Sequence, residues 1–204
     1  MTDRPILFSA PMIRALLDGR KTQTRRVLKP QPSNVDGVGR WYRMSSGGES
    51  LNCYEIPITP GDRVWVRETW NVPDAYLEPR NRQTALELMN YAATPWAIPG
   101  RWRPSIFMPR WASRLTLTVT DVRVQRVQEI SEADAMAEGI KRNIPGWFPV
   151  PGIDGSGTTA RAAFAMLWDS LNAKRGFGWS ENPWIAAYTF TVHHCNIDQM
   201  EVPK

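Results

Sequence analysis

Residues 18–26 read DGRKTQTRR, four cations and two threonine hydroxyls in one short stretch. Like charges packed this closely repel, so the cluster calls for an anionic partner or for a chemical task. Residues 1–30 hold seven Lys or Arg against two Asp, an excess of five that equals the net charge of +5 for the whole chain. The positive surplus is therefore concentrated at one end of the sequence. Such a cluster can hold phosphate as a set of solvated cations. It can also make an amine reactive: Arg20, Arg25 and Arg26 beside Lys21 disfavour its ammonium form, as burial would. A lysine brought from about 10.4 toward roughly 7–8 becomes a competent general base.

The other chemistry-bearing residues are sparser. Arg67 and Glu68 in "RETW" can form a cross-strand ion pair, worth about 0–1 kcal/mol if exposed. Trp70 follows a strand, where it either packs or lines a pocket for a base. His193, His194 and Cys195 are consecutive, and neighbouring strand residues point to opposite faces, so they do not converge on one metal ion. "GIDGSGTT" at 152–159 is rich in glycine but lacks the lysine of a phosphate loop. No metal and no cofactor is expected.

Positioning those residues requires an ordered set of elements. "SAPMIRALLDG" predicts a helix capped by Ser9, with Pro11 in its first turn. Met12, Ile13, Leu16 and Leu17 form its apolar face, and Gly19 takes the left-handed terminating position. "RKTQTRRVL" then extends. Residues 31–50, rich in Gly, Ser and Pro, read as a loop or insertion. "LNCYEIPI" predicts a strand, "TPGD" a turn at Pro60 and Gly61, and "RVWVRETW" a strand that alternates Val64 and Val66 with Arg63, Trp65 and Arg67. Residues 71–103 lack a clean period and read as a second insertion, with one helix over "RQTALELMNYA". "RLTLTVTDVRVQRV" carries the strongest β signal. Its apolar residues switch from odd positions (Leu115, Leu117, Val119) to even ones (Val122, Val124), which implies a bulge or bend near Thr120 and Asp121. "SEADAMAEGI" predicts a helix with Ser131 and Asp134 as a capping box and Gly139 as its stop. "TTARAAFAMLWDSLNAKRG" predicts a second helix with Phe164, Leu167, Trp168 and Leu171 on one face. "PWIAAYTFTV" is a final strand. The expected class is α+β, built around a small open β-barrel with flanking helices.

Composition bounds the rest. A chain of 204 residues suits one domain with insertions and can bury a core without staples. The two cysteines, Cys53 and Cys195, are far apart and suit reduced thiols in a cytosolic protein. No apolar run reaches the roughly 20 residues that span a bilayer, and the N-terminus lacks a signal peptide's apolar core. A soluble, cytoplasmic protein is expected. A sequence pI of about 9.5 favours a phosphate-bearing partner. Most of the ten tryptophans should be core, with some available as stacking platforms for bases.

The order "GRKTQTRR", "GDRVWVRETW", "SIFMPRWASRLTLTVTDVRVQRVQEISEADAMAEGI", "FAMLWDSLN" and "NPWIAAYTF" resembles ASCH-domain proteins, and looks most like the longer versions carried by bacteriophages and prophages. The resemblance spans nearly the whole chain, one domain over 1–204, except the insertions at about 31–50 and 71–103. It implies a PUA-like fold that handles RNA or modified nucleosides. One branch of that family, the compact bacterial acetylcytidine amidohydrolases, removes an acyl group from the exocyclic amine of cytidine with a Lys, Thr and Glu triad. Gly19, Arg20, Lys21, Thr22, Thr24 and Arg26 match its G-[RK]-K-T-x-T-x-R pattern. The match places the catalytic lysine on Lys21, the threonine on Thr24 and the glutamate on Glu138. Glu129, Glu132 and Glu68 are the alternatives for that third role. Arg20, Arg26, Glu68 and Trp70 are the implied substrate-binding residues.

Residues three apart on a regular strand face opposite ways, so Lys21 and Thr24 cooperate only if the chain stays turn-like after Gly19. Two further readings share the basic cluster and the aromatics: a non-catalytic module that binds RNA or a modified base, and a nuclease.

Overall fold

The computed structural model describes residues 3–32, 34–35, 41–44, 50–53, 56–96 and 100–200. In chain order the elements are β1 (Asp3–Leu7), α1 (Ala10–Leu17), β2 (Gln23–Val27), β3 (Asn34–Val35), β4 (Trp41–Met44), β5 (Ser50–Cys53), β6 (Arg63–Arg67), β7 (Trp70–Asn71), α2 (Arg82–Glu87) and β8 (Asn90–Tyr91). There follow β9 (Thr116–Arg126), α3 (Glu132–Ala137), β10 (Phe148–Pro149), β11 (Ser156–Gly157), α4 (Ala160–Asn172) and β12 (Trp184–His193). The class is mixed α+β. Five strands form one sheet in the order β1-β6-β9-β12-β2; β1 runs parallel to β6, while β6/β9 and β12/β2 pair antiparallel. β1 and β2 are its outer strands, and no pairing among the described residues closes the sheet into a barrel.

Contacts group the chain into two compact units. One comprises Met1–Thr22, Gly61–Val119 and Phe190–Lys204, and the other Gln23–Pro60 and Thr120–Thr189. The division passes within β9 and within β12. Along β9 the burial pattern shifts where the apolar parity flips. Leu117 and Val119 are buried, Thr120 and Asp121 are both exposed, and Val122 and Val124 then alternate with exposed Arg123.

In the first unit α1 has Ser9 at its N-cap, proline in its first turn, and Met12, Ile13, Ala15 and Leu16 buried. Gly19 has φ +68°, the left-handed position that a side chain resists. β6 buries Val64, Trp65 and Val66; Trp65 is covered by the Arg67 guanidinium, 4.5 Å above its ring, so this strand is apolar on both faces. Residues 71–96 are more ordered than their sequence suggests. β7 and β8 pair antiparallel, and Trp70, Val72, Ala85, Met89, Met108 and Ala112 form a buried cluster. The helix expected across 82–92 stops at Glu87, because Asn90 and Tyr91 are taken up by pairing with Asn71 and Trp70.

In the second unit β3 and β4, both in the stretch read as a loop at 31–50, form a small antiparallel sheet with β5. The strand expected over 51–58 is reduced to Ser50–Cys53, and residues 54–55 lie outside the described residues. α3 begins at Ser131, whose hydroxyl accepts from the Asp134 N–H at 3.0 Å. The reciprocal half of the expected capping box is replaced, because the Asp134 carboxylate pairs with arginines. α4 is capped by the Thr159 hydroxyl, which accepts from the Ala162 N–H at 3.1 Å. Its buried side is Ala160, Ala163, Phe164, Leu167, Trp168 and Asn172. Leu171, expected on that face, is exposed.

Candidate functional site

Lys21 lies two residues past the left-handed glycine, in the first unit. Its N–H and that of Arg20 both donate to the Ala15 carbonyl at 2.9 Å, so the chain stays folded against the end of α1 until β2 begins at Gln23. Lys21 is thus not a strand residue, and the alternation that would oppose it to Thr24 does not apply. Its side chain is 1% exposed, the first among the largest fully buried side chains, with Nζ 5.5 Å from the centre of the Phe8 ring. A solvated phosphate-binding lysine would be open to water; this one is withdrawn from it. Arg20 stays half-buried, its Nε and Nη2 donating to the Asp18 carboxylate at 3.1 and 2.8 Å.

Glu68, in the same unit, is 2% exposed. Arg114 grips it with a two-point fork, Nε to Oε1 at 2.8 Å and Nη2 to Oε2 at 3.0 Å. Burial pushes the Glu68 carboxyl above its ordinary range, and the hydrogen bonds and charge of Arg114 pull against that. Arg114 also lies 4.0 Å above the Tyr91 ring and donates to the Thr94 hydroxyl at 2.9 Å. Burial likewise pushes the Tyr91 phenol up. Trp70 is 3% exposed inside the cluster described above, with Arg103 over its ring at 5.1 Å. Packing, rather than base stacking, accounts for its position. The histidines also separate: His193 Nε2 is 3.0 Å from the Thr118 hydroxyl, whereas His194 is exposed beyond the end of β12. Among the described residues no group of three or more His, Cys, Asp or Glu is arranged to hold a metal.

The second unit holds the remaining residues. Thr24 lies in β2 opposite Tyr188 of β12 and is 4% exposed. Glu138 is the C-cap residue of α3 and is also 4% exposed. Between α3 and β2 runs a polar network centred on Arg25. Arg25 Nη1 donates to Glu138 Oε1 at 3.2 Å and to Gln23 Oε1 at 3.2 Å, and its Nη2 lies 3.1 Å from Asp134 Oδ2. The Arg25 side chain is fully withdrawn from solvent and sits 5.8 Å from the Phe164 ring. Asp134 receives a second arginine, Arg123, at 3.1 Å. Burial alone would raise the Asp134 carboxyl, but the hydrogen bonds of Arg123 and Gln23 and the charge of Arg25 hold it below the usual carboxylate range. Arg26 is open to solvent yet feels the surrounding protein: desolvation lowers its basicity, Arg175 adds to that, and Glu138 and Tyr188 oppose it.

The alternative glutamates are committed elsewhere. Glu129 accepts from the Arg126 N–H at 3.0 Å, and Glu132 caps α4 by accepting from the Ala160 N–H at 2.8 Å. Sequence reasoning missed Arg25 and Arg114 as partners of the two buried glutamates. Arg25 stood in view, inside the basic run, but a run of cations does not say which member turns inward. Arg114 opens the longest β signal, and nothing in that pattern pairs it with Glu68.

No family model matches the chain, and no curated protein matches it. A crystal structure of an Enterococcus faecalis V583 protein of the DUF984 family model aligns with a TM-score of 0.42 and 12% identity, over 99% of this chain and 86% of that one. At that score the likeness supports neither a fold nor a role.

Proposed function

We propose that this chain is a metal-independent amidohydrolase that removes an acyl group from the exocyclic amine of cytidine-type nucleosides, of the acetylcytidine kind. The observation that carries this reading is burial: Lys21, Thr24 and Glu138 are 1%, 4% and 4% exposed. Lysine and glutamate are rarely withdrawn from water without a task or a partner. A passive cationic surface needs neither the buried lysine nor the buried carboxylate.

The reaction requires an activated nucleophile, stabilisation of the oxyanion and a proton for the leaving amine. In this reading neutral Lys21 takes the proton of the Thr24 hydroxyl, and the hydroxyl oxygen attacks the acyl carbon. Collapse of the tetrahedral intermediate breaks the carbon–nitrogen bond, and the departing amine takes its proton from Lys21. Water then attacks the threonine ester, again losing a proton to Lys21, which returns it to the threonine oxygen. Glu138 assists by protonating the amine or by positioning the water. Arg20 or Arg26 stabilises the oxyanion or holds a phosphate. The finer fold that accompanies this reading is an ASCH-type, PUA-like small open barrel in a cytoplasmic protein, consistent with the order of motifs and the parity shift along β9. Among the described residues no helix is long and apolar enough to cross a membrane.

The exposed position of Arg26 within the basic run favours a second reading, a module that binds RNA or a modified base without chemistry. Incubation with acetylcytidine separates the two. The amidohydrolase consumes the acyl-cytidine absorbance, survives a chelator, and loses turnover on Thr24→Val while retaining its circular dichroism. A passive binder shows no turnover and an affinity that falls steeply with salt, as counterion release dictates. Undiminished turnover in folded Thr24→Val rules out the nucleophile.

A further inference from the structure

The segment that follows Glu138 has no part in the chemistry above. Gly139 and Ile140 are buried, residues 141–147 (KRNIPGW) are all exposed, and burial resumes at Val150. Both ends of this excursion are held. The Gly139 N–H donates to the Met136 carbonyl at 2.8 Å, and β10 pairs with β11. Gly157 of β11 lies so close to α4 that a Cβ there would collide with the Ala163 backbone. In between, the backbone closes a tight turn: the Trp147 N–H donates to the Ile144 carbonyl at 2.9 Å, and the Asn143 N–H to the Trp147 carbonyl at 3.2 Å. Pro145 and Gly146 are its central residues, with Gly146 at φ +74°, the pair that a type II turn favours. Ile144 and Trp147 are bridge partners across the turn and remain 61% and 50% exposed.

Most of the other tryptophans are occupied by their own chain. Arginines cover the rings of Trp65, Trp70, Trp111, Trp179 and Trp184, and Nε1 of Trp96 and of Trp168 donates to backbone carbonyls. Among the described residues Trp147 has neither kind of partner. Lys141 and Arg142, a few residues before it, make no ion pair among the described residues, and no Asp or Glu occurs from 139 to 153. An open aromatic face beside unspent cations suits single-stranded nucleic acid, whose bases stack and whose phosphates pair with the charge. Two apolar side chains on one turn are too few for an amphipathic membrane anchor. The turn is also near the candidate carboxylate: Lys141 is three residues after Glu138, so their Cα atoms are at most about 11 Å apart.

We infer that the 141–147 turn holds the strand that flanks the acylated cytidine, with a neighbouring base stacked on Trp147 and backbone phosphates paired with Lys141 and Arg142. This rests on the amidohydrolase reading and names its substrate as a single-stranded polynucleotide rather than a free nucleoside. Trp147 and the two cations lie outside the reacting set. They decide where the strand runs and leave the chemistry to other residues.

The test uses the whole chain with free acetylcytidine and with a fluorescein-labelled oligomer carrying one acetylcytidine at its centre, made both as RNA and as DNA. Fluorescence anisotropy gives the affinity, and the sugar that binds tells which kind of strand is held. For that oligomer Trp147→Ala is expected to weaken binding about tenfold, the size of one lost base–aromatic stack. Lys141→Gln with Arg142→Gln should flatten the slope of log affinity against log salt by about 1.4, as expected for two phosphates on a single strand. All three positions are exposed, so the variants should fold and turn over free acetylcytidine at the wild-type rate, while kcat/KM on the oligomer falls with its affinity. A Trp147→Ala protein that binds both oligomers as tightly as the wild type overturns the inference. So does a wild type that binds neither, or a salt slope unaltered by removal of the two cations. Binding to phosphatidylserine vesicles that is lost in Trp147→Ala, with oligomer affinity intact, would assign the turn to a lipid surface and overturn it too. Anisotropy needs no turnover, so oligomer binding through Trp147 without hydrolysis of acetylcytidine would refute the amidohydrolase reading alone and support the strand contact.

Discussion

A carboxylate as deeply buried as Glu68 keeps its charge only if a cation comes with it, and Arg114 does so through two hydrogen bonds at 2.8 and 3.0 Å. Removing one partner of a buried pair leaves the other uncompensated, which typically costs about 3–5 kcal/mol. Because the Arg114 side chain keeps a quarter of its exposure, water can relieve part of that cost. Arg114→Ala should therefore destabilise the chain by about 3 kcal/mol in urea denaturation, toward the low end of the range for buried pairs. Adding Glu68→Gln to it should recover part of the loss, since the stranded charge is gone. Equal costs for the single and double variants would show that lost packing on Tyr91, and not the stranded carboxylate, sets the effect. The position of Arg114 beside Glu68 was not legible in the sequence, because the two residues are 46 positions apart and neither belongs to a periodic pattern that would pair them. Trp70 was legible only as a choice between packing and pocket, and burial in the cluster around Val72 and Met108 decides for packing.

Elements were more readable than contacts, and the reasons are local. α1 was foreseeable from Ser9, Pro11 and Gly19, since cap, first turn and stop are each dictated by backbone chemistry within a few residues. The same glycine supplies a test. Gly19 has φ +68° with open space where a Cβ would go, so Gly19→Ala meets strain without a clash. It should cost about 1 kcal/mol, and Gly19→Asn less, because asparagine tolerates the left-handed region; thermal denaturation compares them. α4 carries a double cap, with Thr159 accepting from the Ala162 N–H and Glu132 from the Ala160 N–H. Thr159→Ala should cost about 1 kcal/mol of stability, while a loss of only a few tenths would mean that Glu132 alone suffices. Where the sequence reading overshot, tertiary pairing intervened: the helix over 82–92 gives way to β8 because β7 offers Asn90 and Tyr91 a partner strand. The two short strands β3 and β4 were hidden by a glycine- and serine-rich composition that reads as loop, whereas β5 falls on the start of the strand expected over 51–58.

At the scale of the whole molecule, Lys21, Thr24 and Glu138 are each buried, and the basic run that drew attention to the first two explains only part of that. The run showed that cations were concentrated; it could not show that Lys21 and Arg25 are withdrawn from water while Arg26 stays open to it. Inwardness depends on where α1 ends and on which carboxylates α3 presents, and both are decided by partners distant in sequence. The Arg25 network should also appear in acid stability. Against the cost of burial, the hydrogen bonds of Arg123 and Gln23 and the charge of Arg25 hold the Asp134 carboxyl below its ordinary range in the folded chain, so on acidification the unfolded state binds protons first. Its contribution is complete above about pH 4 and is lost as pH falls through the folded value. Asp134→Asn should flatten the stability curve in that window, and an unchanged acid slope would remove Asp134 from the account. The most direct measurement of the central claim is the mass of the protein quenched in acid during turnover of acetylcytidine, followed by peptide mapping. The account predicts one acetyl group on the peptide bearing Thr24, absent in Thr24→Val; turnover by the wild type with that peptide unmodified, and undiminished turnover by Thr24→Val, would contradict it.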